Sequence, residues 1–370
     1  MKKGLLLFCM LISCIHGFSQ SDSTYKSMRD SIVTNAIENA KTFNYVAYTN
    51  EKLRLRDMKN ALMELSMAIK LDSNNSSAFE ARGELKIKLN DYRGAMMDYT
   101  KAIILEPSNA NLYSSRGLCK YEIKEYSSAN TDFTKAIELE PNVAKADLYI
   151  KRGDCLNRLE NYTGAISNYT KAIDLASNLF EESETYARRG LCKEMLEEYT
   201  DAIKDFTKAI DLIEKHTVWD SSKYSNLYYS RGACKYSLQE YSGAIIDFTK
   251  AINIDPENVN AYFLRSFAKY FLRDLRGAMI DCSKTIQLEP NNASAYILSG
   301  NCKDELKDYI GAINDYTKAI NIEPQNNAAY CFRGITKIKL NQKSSGCLDL
   351  SKAGELGYKE AYDEIAKYCQ

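Results

Sequence analysis

A short phrase containing a glycine recurs through most of this 370-residue chain at a spacing close to 34 residues. The glycine, or a serine in one copy, stands at positions 83, 117, 153, 190, 232, 266, 300 and 334. A second small residue follows each of these positions by 12 residues, and a third follows by 19. Self-similarity of this length is typical of arrays in which each unit packs mainly against its neighbours. We therefore expect a repeat array and not a set of globular domains.

Each unit has the sequence pattern of two amphipathic helices. Ala129, Phe133, Ala136 and Ile137 occur at i, i+4, i+7 and i+8, which is one face of an α-helix. The recurring small residues allow two antiparallel helices to approach closely. All five prolines of the chain stand at the ends of units, where proline ends a helix, at Pro107, Pro141, Pro256, Pro290 and Pro324.

This order of small and aromatic residues closed by proline over 34 residues resembles the tetratricopeptide repeat family. The resemblance covers residues 42–356 and implies an all-α, right-handed α-solenoid of about nine helix-turn-helix repeats with a C-terminal capping helix. A degenerate first repeat is expected at 42–75, where Thr49 replaces the glycine, and the capping helix at 357–370. The tandem array, 76–356, divides into eight repeats at 76–109, 110–143, 146–179, 183–216, 225–258, 259–292, 293–326 and 327–356.

The N-terminus has the pattern of an export signal. Lys2 and Lys3 precede an apolar run that is too short to span a bilayer. One interpretation is a signal peptide at 1–19, cut before Gln20 and followed by a leader segment at 20–41. The alternative is a lipoprotein, in which Cys14 carries the lipid anchor and becomes the first mature residue. Either way, we expect an exported protein, periplasmic or secreted, with no transmembrane helix.

Charge and histidine content disfavour two classes of function. The 49 Lys and Arg residues balance 49 Asp and Glu residues, and zero net charge disfavours binding to nucleic acid. Once the signal is removed, His216 is the only histidine, and no catalytic or phosphate-binding motif accompanies it. We therefore expect no enzymatic activity, metal or cofactor.

Cysteine and charged residues recur at fixed places in the repeats. Five cysteines stand two residues after the repeat glycine, where a small apolar side chain is expected to pack, and none has zinc-ligand spacing. Cys347 and Cys369 are the best candidates for a disulfide, which would join the capping helix to the last repeat. Arginine and aspartate recur 16 residues apart and are expected to form a ladder of charge-assisted hydrogen bonds, at Arg82/Asp98, Arg116/Asp132, Arg189/Asp205, Arg231/Asp247, Arg265/Asp281 and Arg333/Asp349.

The family resemblance implies that the first helix of each repeat lines a concave groove that binds a protein or peptide partner. Two adjacent repeats, 225–258 and 259–292, concentrate aromatic residues at groove positions, and clusters of this kind often mark binding sites. The residues of this predicted site are Tyr229, Tyr236, Phe263, Phe267, Tyr270 and Phe271. An alternative is that these rings pack on one another or on the next helix.

The sequence therefore predicts an exported, non-catalytic protein-interaction scaffold. Two alternatives remain open: a glycan-binding protein, suggested by the 27 tyrosines, and a purely structural envelope-assembly protein. An extra eight residues near 216–223, with the single tryptophan Trp219, are expected to form a protruding loop or a longer helix end.

Overall fold

The computed structural model of the chain describes residues 23–42, 51–141, 145–215 and 224–369. These residues form nineteen α-helices and no strand. The helices are α1 (Ser23–Thr42), α2 (Glu51–Leu71), α3 (Ser76–Lys88), α4 (Tyr92–Leu105), α5 (Ala110–Glu122), α6 (Tyr126–Leu139), α7 (Ala146–Arg158), α8 (Tyr162–Leu175), α9 (Leu179–Met195), α10 (Tyr199–Glu214), α11 (Ser225–Ser237), α12 (Tyr241–Ile254), α13 (Val259–Phe271), α14 (Leu275–Leu288), α15 (Ala293–Glu305), α16 (Tyr309–Ile322), α17 (Asn327–Lys339), α18 (Lys343–Glu355) and α19 (Glu360–Tyr368).

The helices group into two units, and the boundary follows Ser177. The first unit holds α1 to α8 and the second holds α9 to α19. Within each unit, consecutive helices pair and each pair packs on the next, as an all-α solenoid requires. Nine pairs and a final helix, α19, account for the described residues, in agreement with the predicted fold class.

The first pair begins earlier than the sequence pattern predicts. Helix α1 lies in the segment expected to be a leader, and it packs on both α2 and α3. Its residues Ile32, Val33, Ala36 and Ala40 are buried, which gives the helix one apolar face. The first repeat therefore takes its first helix from 23–42, and the predicted segment 42–75 supplies mainly the second. Thr49 lies outside the described residues, as do Cys14, Gln20, His216 and Trp219.

Helix ends follow local sequence signals. Asn258 caps α13 by accepting a hydrogen bond from the backbone N–H of Ala261 at 3.0 Å, and Asn292 and Asn326 cap α15 and α17 in the same way. Each of these asparagines follows a unit-ending proline by two residues. A single residue with positive φ, such as Gln239 at 62°, then reverses the chain between the two helices of a pair.

The repeat glycine lets the two helices of a pair touch. A Cβ atom added to Gly232 would lie 2.9 Å from Cε1 of Phe248, which is closer than real Cβ contacts come. The ring is fully buried and packs between Ala244 and Ala251, which are also fully buried. The same approach recurs wherever a glycine of the first helix faces an aromatic ring of the second, so the small residues have the steric role that the sequence pattern predicts. Among the helices of the described residues, none is long and apolar enough to cross a membrane.

Candidate functional site

The first helices of successive pairs contact one another directly within the second unit. In the second unit, α11 contacts α13 directly, α13 contacts α15, and α15 contacts α17. The second helices pack mainly on the first helix of their own pair and of the next pair. Successive first helices contact each other directly, although a second helix lies between them in the sequence. Side chains on the faces of the first helices that do not pack on second helices therefore lie on one common surface. The predicted aromatic residues all belong to α11 and α13.

Two of the predicted aromatic residues form a pair on α13. The rings of Phe263 and Phe267 meet edge to face, with centroids 5.0 Å apart and an interplanar angle of 89°. Both side chains are half-buried, whereas Ser266 and Ala268 on either side of Phe267 are fully buried. The pair therefore stands outside the packing stripe of α13 and is open to solvent on one side.

The other two aromatic residues of α13 join a cluster with residues from the preceding repeat. Phe271 is 49% exposed and stacks on Tyr241 with ring centroids 4.9 Å apart. Tyr236 lies at the edge of both rings, 6.3 Å from Phe271 and 5.6 Å from Tyr241. The ring of Tyr270 meets Phe271 edge to face at 5.9 Å. The structure thus brings the four aromatic residues of α13 into two contact groups.

Polar partners fix Tyr270 at the rim of this cluster. Its hydroxyl donates a 2.5 Å hydrogen bond to Oε1 of Glu305 on α15, and Glu305 also pairs with Arg273. Burial raises the pKa of the Tyr270 phenol, and the negatively charged acceptor Glu305 raises it further. The phenol therefore stays neutral and keeps donating across the physiological pH range.

The remaining residue of the predicted site, Tyr229, lies deeper on α11. Its ring is 6.1 Å from the buried ring of Phe248, and burial raises the pKa of its phenol, with a smaller effect from the charge of Glu194 on α9. Burial also raises the pKa of the Glu194 carboxyl. Tyr229 is thus partly a packing residue, and the charge of Glu194 acts on its phenol.

The aromatic pattern alone missed two exposed apolar residues on α9. Leu191 is 45% exposed and Met195 is 60% exposed. They stand one and five residues after the repeat glycine Gly190, as Phe267 and Phe271 stand after Ser266. Because α9 contacts α11 and α11 contacts α13, we group these two residues with the half-buried Tyr229 and Tyr236 of α11 and the aromatic residues of α13 as one candidate apolar surface. Comparing equivalent repeat positions for any large apolar residue would have found both.

The predicted ladder of charged hydrogen bonds is confirmed. Arg231 donates from Nε and Nη2 to the two carboxylate oxygens of Asp247, at 2.9 and 2.7 Å, and Lys235 contacts the same carboxylate at 2.8 Å. Nη1 reaches back to the hydroxyl of Thr207 in the preceding repeat at 3.1 Å, and the guanidinium lies over the ring of Tyr228. These contacts join neighbouring repeats and indicate a structural role.

The cysteines divide as the sequence predicts. Cys347 and Cys369 form a disulfide with their Cα atoms 5.7 Å apart, which joins α18 to the end of α19. Among the described residues, seven other cysteines lie outside any disulfide and are buried. Burial raises the pKa of the thiols of Cys155 and Cys234 to about 12, so they remain protonated near neutral pH. They behave as small packing residues.

The known proteins that resemble this chain are repeat proteins. The family model described as Tetratricopeptide repeat matches residues 146–179, 225–258 and 293–326. A solved structure, the C-terminal part of a tetratricopeptide-repeat-containing protein from Cytophaga hutchinsonii, is similar with a TM-score of 0.55 at 20% identity, covering 67% of this chain and 96% of that one. A tetratricopeptide repeat protein from Parabacteroides merdae gives a TM-score of 0.48 at 21% identity, covering 70% of this chain and 98% of its own.

A third solved structure, YrrB, is described as a tetratricopeptide repeat protein with an unusual peptide-binding site. It gives a TM-score of 0.46 at 22% identity and covers 53% of this chain and 95% of its own. No curated protein matches the sequence. The matched segments coincide with the pairs α7–α8, α11–α12 and α15–α16, and the unmatched pairs share their packing. The chain therefore contains tetratricopeptide repeats at the three matched segments, and its helix pairs pack as in a tetratricopeptide repeat array.

Proposed function

We propose that this chain is an exported, non-catalytic scaffold that binds a protein or peptide partner on the apolar surface of α9, α11 and α13. Tetratricopeptide repeats typically serve as interaction scaffolds, and the fold itself supports that general role. The observation that carries the location is the exposure of Leu191, Met195 and Phe271 beside the half-buried aromatic groups. Exposed apolar surface of this kind commonly marks an interaction site.

The composition of the surface favours a partner with apolar side chains. Phe267 and Phe271 offer large contact areas at a small entropic cost, since aromatic side chains have few rotatable bonds. Tyr270 and Glu305 add a polar rim, which is the arrangement found at specific interfaces. Phe267 and Phe271 are therefore expected to be hot spots of binding.

Export is supported by the N-terminal sequence pattern and by the Cys347–Cys369 disulfide, because disulfides persist mainly in oxidising compartments. Mass analysis of the mature N-terminus tests this part of the proposal. A chain beginning at Gln20 indicates a soluble exported protein, and a lipidated Cys14 indicates an anchored one. An unprocessed N-terminus in the native cell would refute export.

The binding surface is tested by photo-crosslinking in the native envelope. A benzoylphenylalanine at position 271 should capture a partner, and the same group at Ile246, which is 60% exposed on α12, serves as the matched control. The captured protein is then purified and titrated against the Phe267→Ala, Phe271→Ala double variant. We expect binding to weaken by about 2 kcal/mol or more, as at hot spots.

Two outcomes would refute the location. Equal capture from positions 271 and 246 would show that contact is not specific to the first helices. Unchanged affinity of the double variant, with a large loss of thermal stability, would show that the aromatic groups belong to the core. Binding to a glycan array by the purified chain, lost in the same variant, would favour the glycan-binding alternative.

A further inference from the structure

Five repeats hold an arginine guanidinium in the same receptor, built from a carboxylate, a hydroxyl of the preceding repeat and an aromatic ring. In the repeat of α13 and α14, Arg265 donates to both carboxylate oxygens of Asp281, at 2.8 and 2.7 Å. Its Nη1 donates to the hydroxyl of Thr249 in the preceding repeat at 2.9 Å, and its Cζ lies 5.5 Å from the ring centroid of Tyr262. Lys269 contacts the same carboxylate at 2.7 Å.

The repeat of α17 and α18 has the same receptor. Arg333 donates to both oxygens of Asp349 at 2.8 Å and to the hydroxyl of Thr317 at 3.1 Å. The ring of Tyr330 lies below the guanidinium at 5.4 Å. The two repeats therefore provide independent copies of the geometry on either side of the repeat of α15 and α16.

The repeat between them keeps every part of the receptor except the arginine, whose place is taken by Ser299. Asp315 follows Ser299 by 16 residues, and Tyr296 precedes it by three, as in the neighbouring repeats. Ser299 Oγ and Lys303 Nζ both donate to Oδ2 of Asp315, each at 2.6 Å. Within the part of the chain that the structure describes, Oδ1 of Asp315 accepts no hydrogen bond.

The hydroxyl from the preceding repeat is also retained. Ser283 donates to the backbone carbonyl of Met279 at 2.8 Å, just as Thr249 donates to the carbonyl of Ile245 at 2.7 Å. Thr249 uses its remaining acceptor capacity to bind Arg265, whereas Ser283 receives no donor from the described residues. Its hydroxyl is therefore held in the orientation that leaves an acceptor for a guanidinium N–H.

Solvent reaches this place. The side chain of Asp315 is 14% exposed, compared with 1% for Asp281 and 10% for Asp349, and Ser283 is exposed where Thr249 is half-buried. In both neighbouring repeats an arginine side chain bonds to the carboxylate and to the hydroxyl, and the shorter side chain of Ser299 stands in its place here. A ligand can thus approach the two unused acceptors from outside.

We propose that the repeat of α15 and α16 binds a guanidinium group from another molecule, held by Asp315, Ser283 and the ring of Tyr296. A planar guanidinium can satisfy Oδ1 and the hydroxyl together, whereas an ammonium group lacks this fork. The charge balance after binding, two cations on one carboxylate, is the one the neighbouring repeats already contain. This site is separate from the apolar surface and does not rest on the proposed function.

The test is a titration of the full mature chain with N-acetylarginine amide, followed by isothermal calorimetry and by amide chemical shifts. N-acetyllysine amide is the control for a positive charge without the planar guanidinium. N-acetylcitrulline amide is the control for a planar group of similar shape without the charge. We expect saturable binding of the arginine probe, with both controls about tenfold weaker or more. Shifts should concentrate on α14, α15 and α16.

Variants of this repeat test whether the arginine probe binds there. Ser299→Arg supplies the guanidinium from within the chain and should abolish binding while raising the melting temperature. Asp315→Asn should weaken binding about tenfold or more, because the charge-assisted acceptor is lost. Arg265→Ser should create a second site of the same kind in the preceding repeat, which is a gain that a nonspecific effect would not produce. Circular dichroism verifies that each variant is folded.

Three results would overturn the proposal: no saturable binding of the arginine probe, equal binding of the lysine probe, or binding that Ser299→Arg leaves intact. The source of the group is decided by comparing the free guanidinium ion with an N-acetyl Gly-Arg-Gly amide peptide. Tighter binding of the peptide indicates the arginine side chain of a polypeptide, and tighter binding of the ion indicates a small cation.

Discussion

The contact between the two helices of a pair can be tested in the repeat of α13 and α14, which lacks both the repeat glycine and the aromatic residue that faces it. Ser266 replaces the repeat glycine in α13, and the aromatic residue that should face it is replaced by Cys282. Both are fully buried. In the other repeats, a Cβ added to Gly232 or Gly300 would lie 2.9 or 2.6 Å from a ring atom of the second helix. Ser266 and Cys282 are therefore expected to depend on each other.

The perturbation is Cys282→Phe, which restores the ring without restoring the glycine. The new ring would meet the side chain of Ser266 at a distance about 1 Å shorter than van der Waals contact, and overpacking of this size costs about 2 kcal/mol. Ser266→Gly alone should cost about 1 kcal/mol, from lower helix propensity and a small space left beside Cys282. In the double variant the ring fits, so we expect a coupling free energy of about 2 kcal/mol in favour of the pair.

The assay is urea unfolding of the four proteins in the cycle, followed by circular dichroism. Their free energies of unfolding are compared with a common dependence on urea concentration. Gly232→Ser is the matched control, since it introduces the same clash into a repeat that has the ring of Phe248, and it should cost about as much as Cys282→Phe. Additivity of the two substitutions within about 0.5 kcal/mol would refute the reasoning, as would a neutral Cys282→Phe.

Two further outcomes follow from the cysteines. Replacing Cys347 and Cys369 with serine should lower the free energy of opening of α19 by about 3 kcal/mol, because the disulfide closes a loop of 22 residues; hydrogen exchange of α19 measures this, and unchanged protection would contradict it. Buried thiols should make the fold sensitive to alkali. Their pKa values are raised in the folded state, so their contribution is fully present below the unfolded pKa of about 8.5 and is lost as pH rises towards about 12; unfolding followed from pH 8 to 11 tests this, and a flat profile would contradict it. The thiols concerned are Cys119, Cys155, Cys234, Cys282 and Cys302.

Much of the fold follows from spacing alone. The glycine and alanine positions predict which faces of two helices meet, and Gly232 and Phe248 meet there. The disulfide between Cys347 and Cys369 follows from a capping helix that must cover the last repeat. Helix α1 was missed because its buried residues, such as Ile32 and Ala36, do not repeat the phrase, and a terminal helix has only one neighbouring pair to match.

The candidate surface was harder to predict, since groove positions follow no fixed pattern. An aromatic spacing identified Phe267 and Phe271, yet it could not show that Phe271 stacks on Tyr241 or that Tyr270 is held by Glu305. Those contacts join residues of different helices, and they depend on how far one pair is rotated against the next. Leu191 and Met195 are not aromatic, so only a comparison of all large apolar residues at equivalent repeat positions identifies them.

Departures from the repeat differ in physical meaning according to whether the surrounding residues change with them. Ser266 is accompanied by Cys282, so its departure is compensated within the same helix contact. Where Asn168 replaces the aspartate, its Oδ1 still accepts from Nε of Arg152 at 2.6 Å and its amide donates to the carbonyl of Gly164, so the side-chain amide has a partner on both sides. Ser299 has no such compensation, because Asp315 keeps an acceptor that nothing in the described residues fills. A compensated departure preserves packing, whereas an uncompensated one leaves a polar group that water or a ligand can satisfy. In an array of nearly equal repeats, each copy thus serves as the control for the others, and the uncompensated copy is where binding should be sought first.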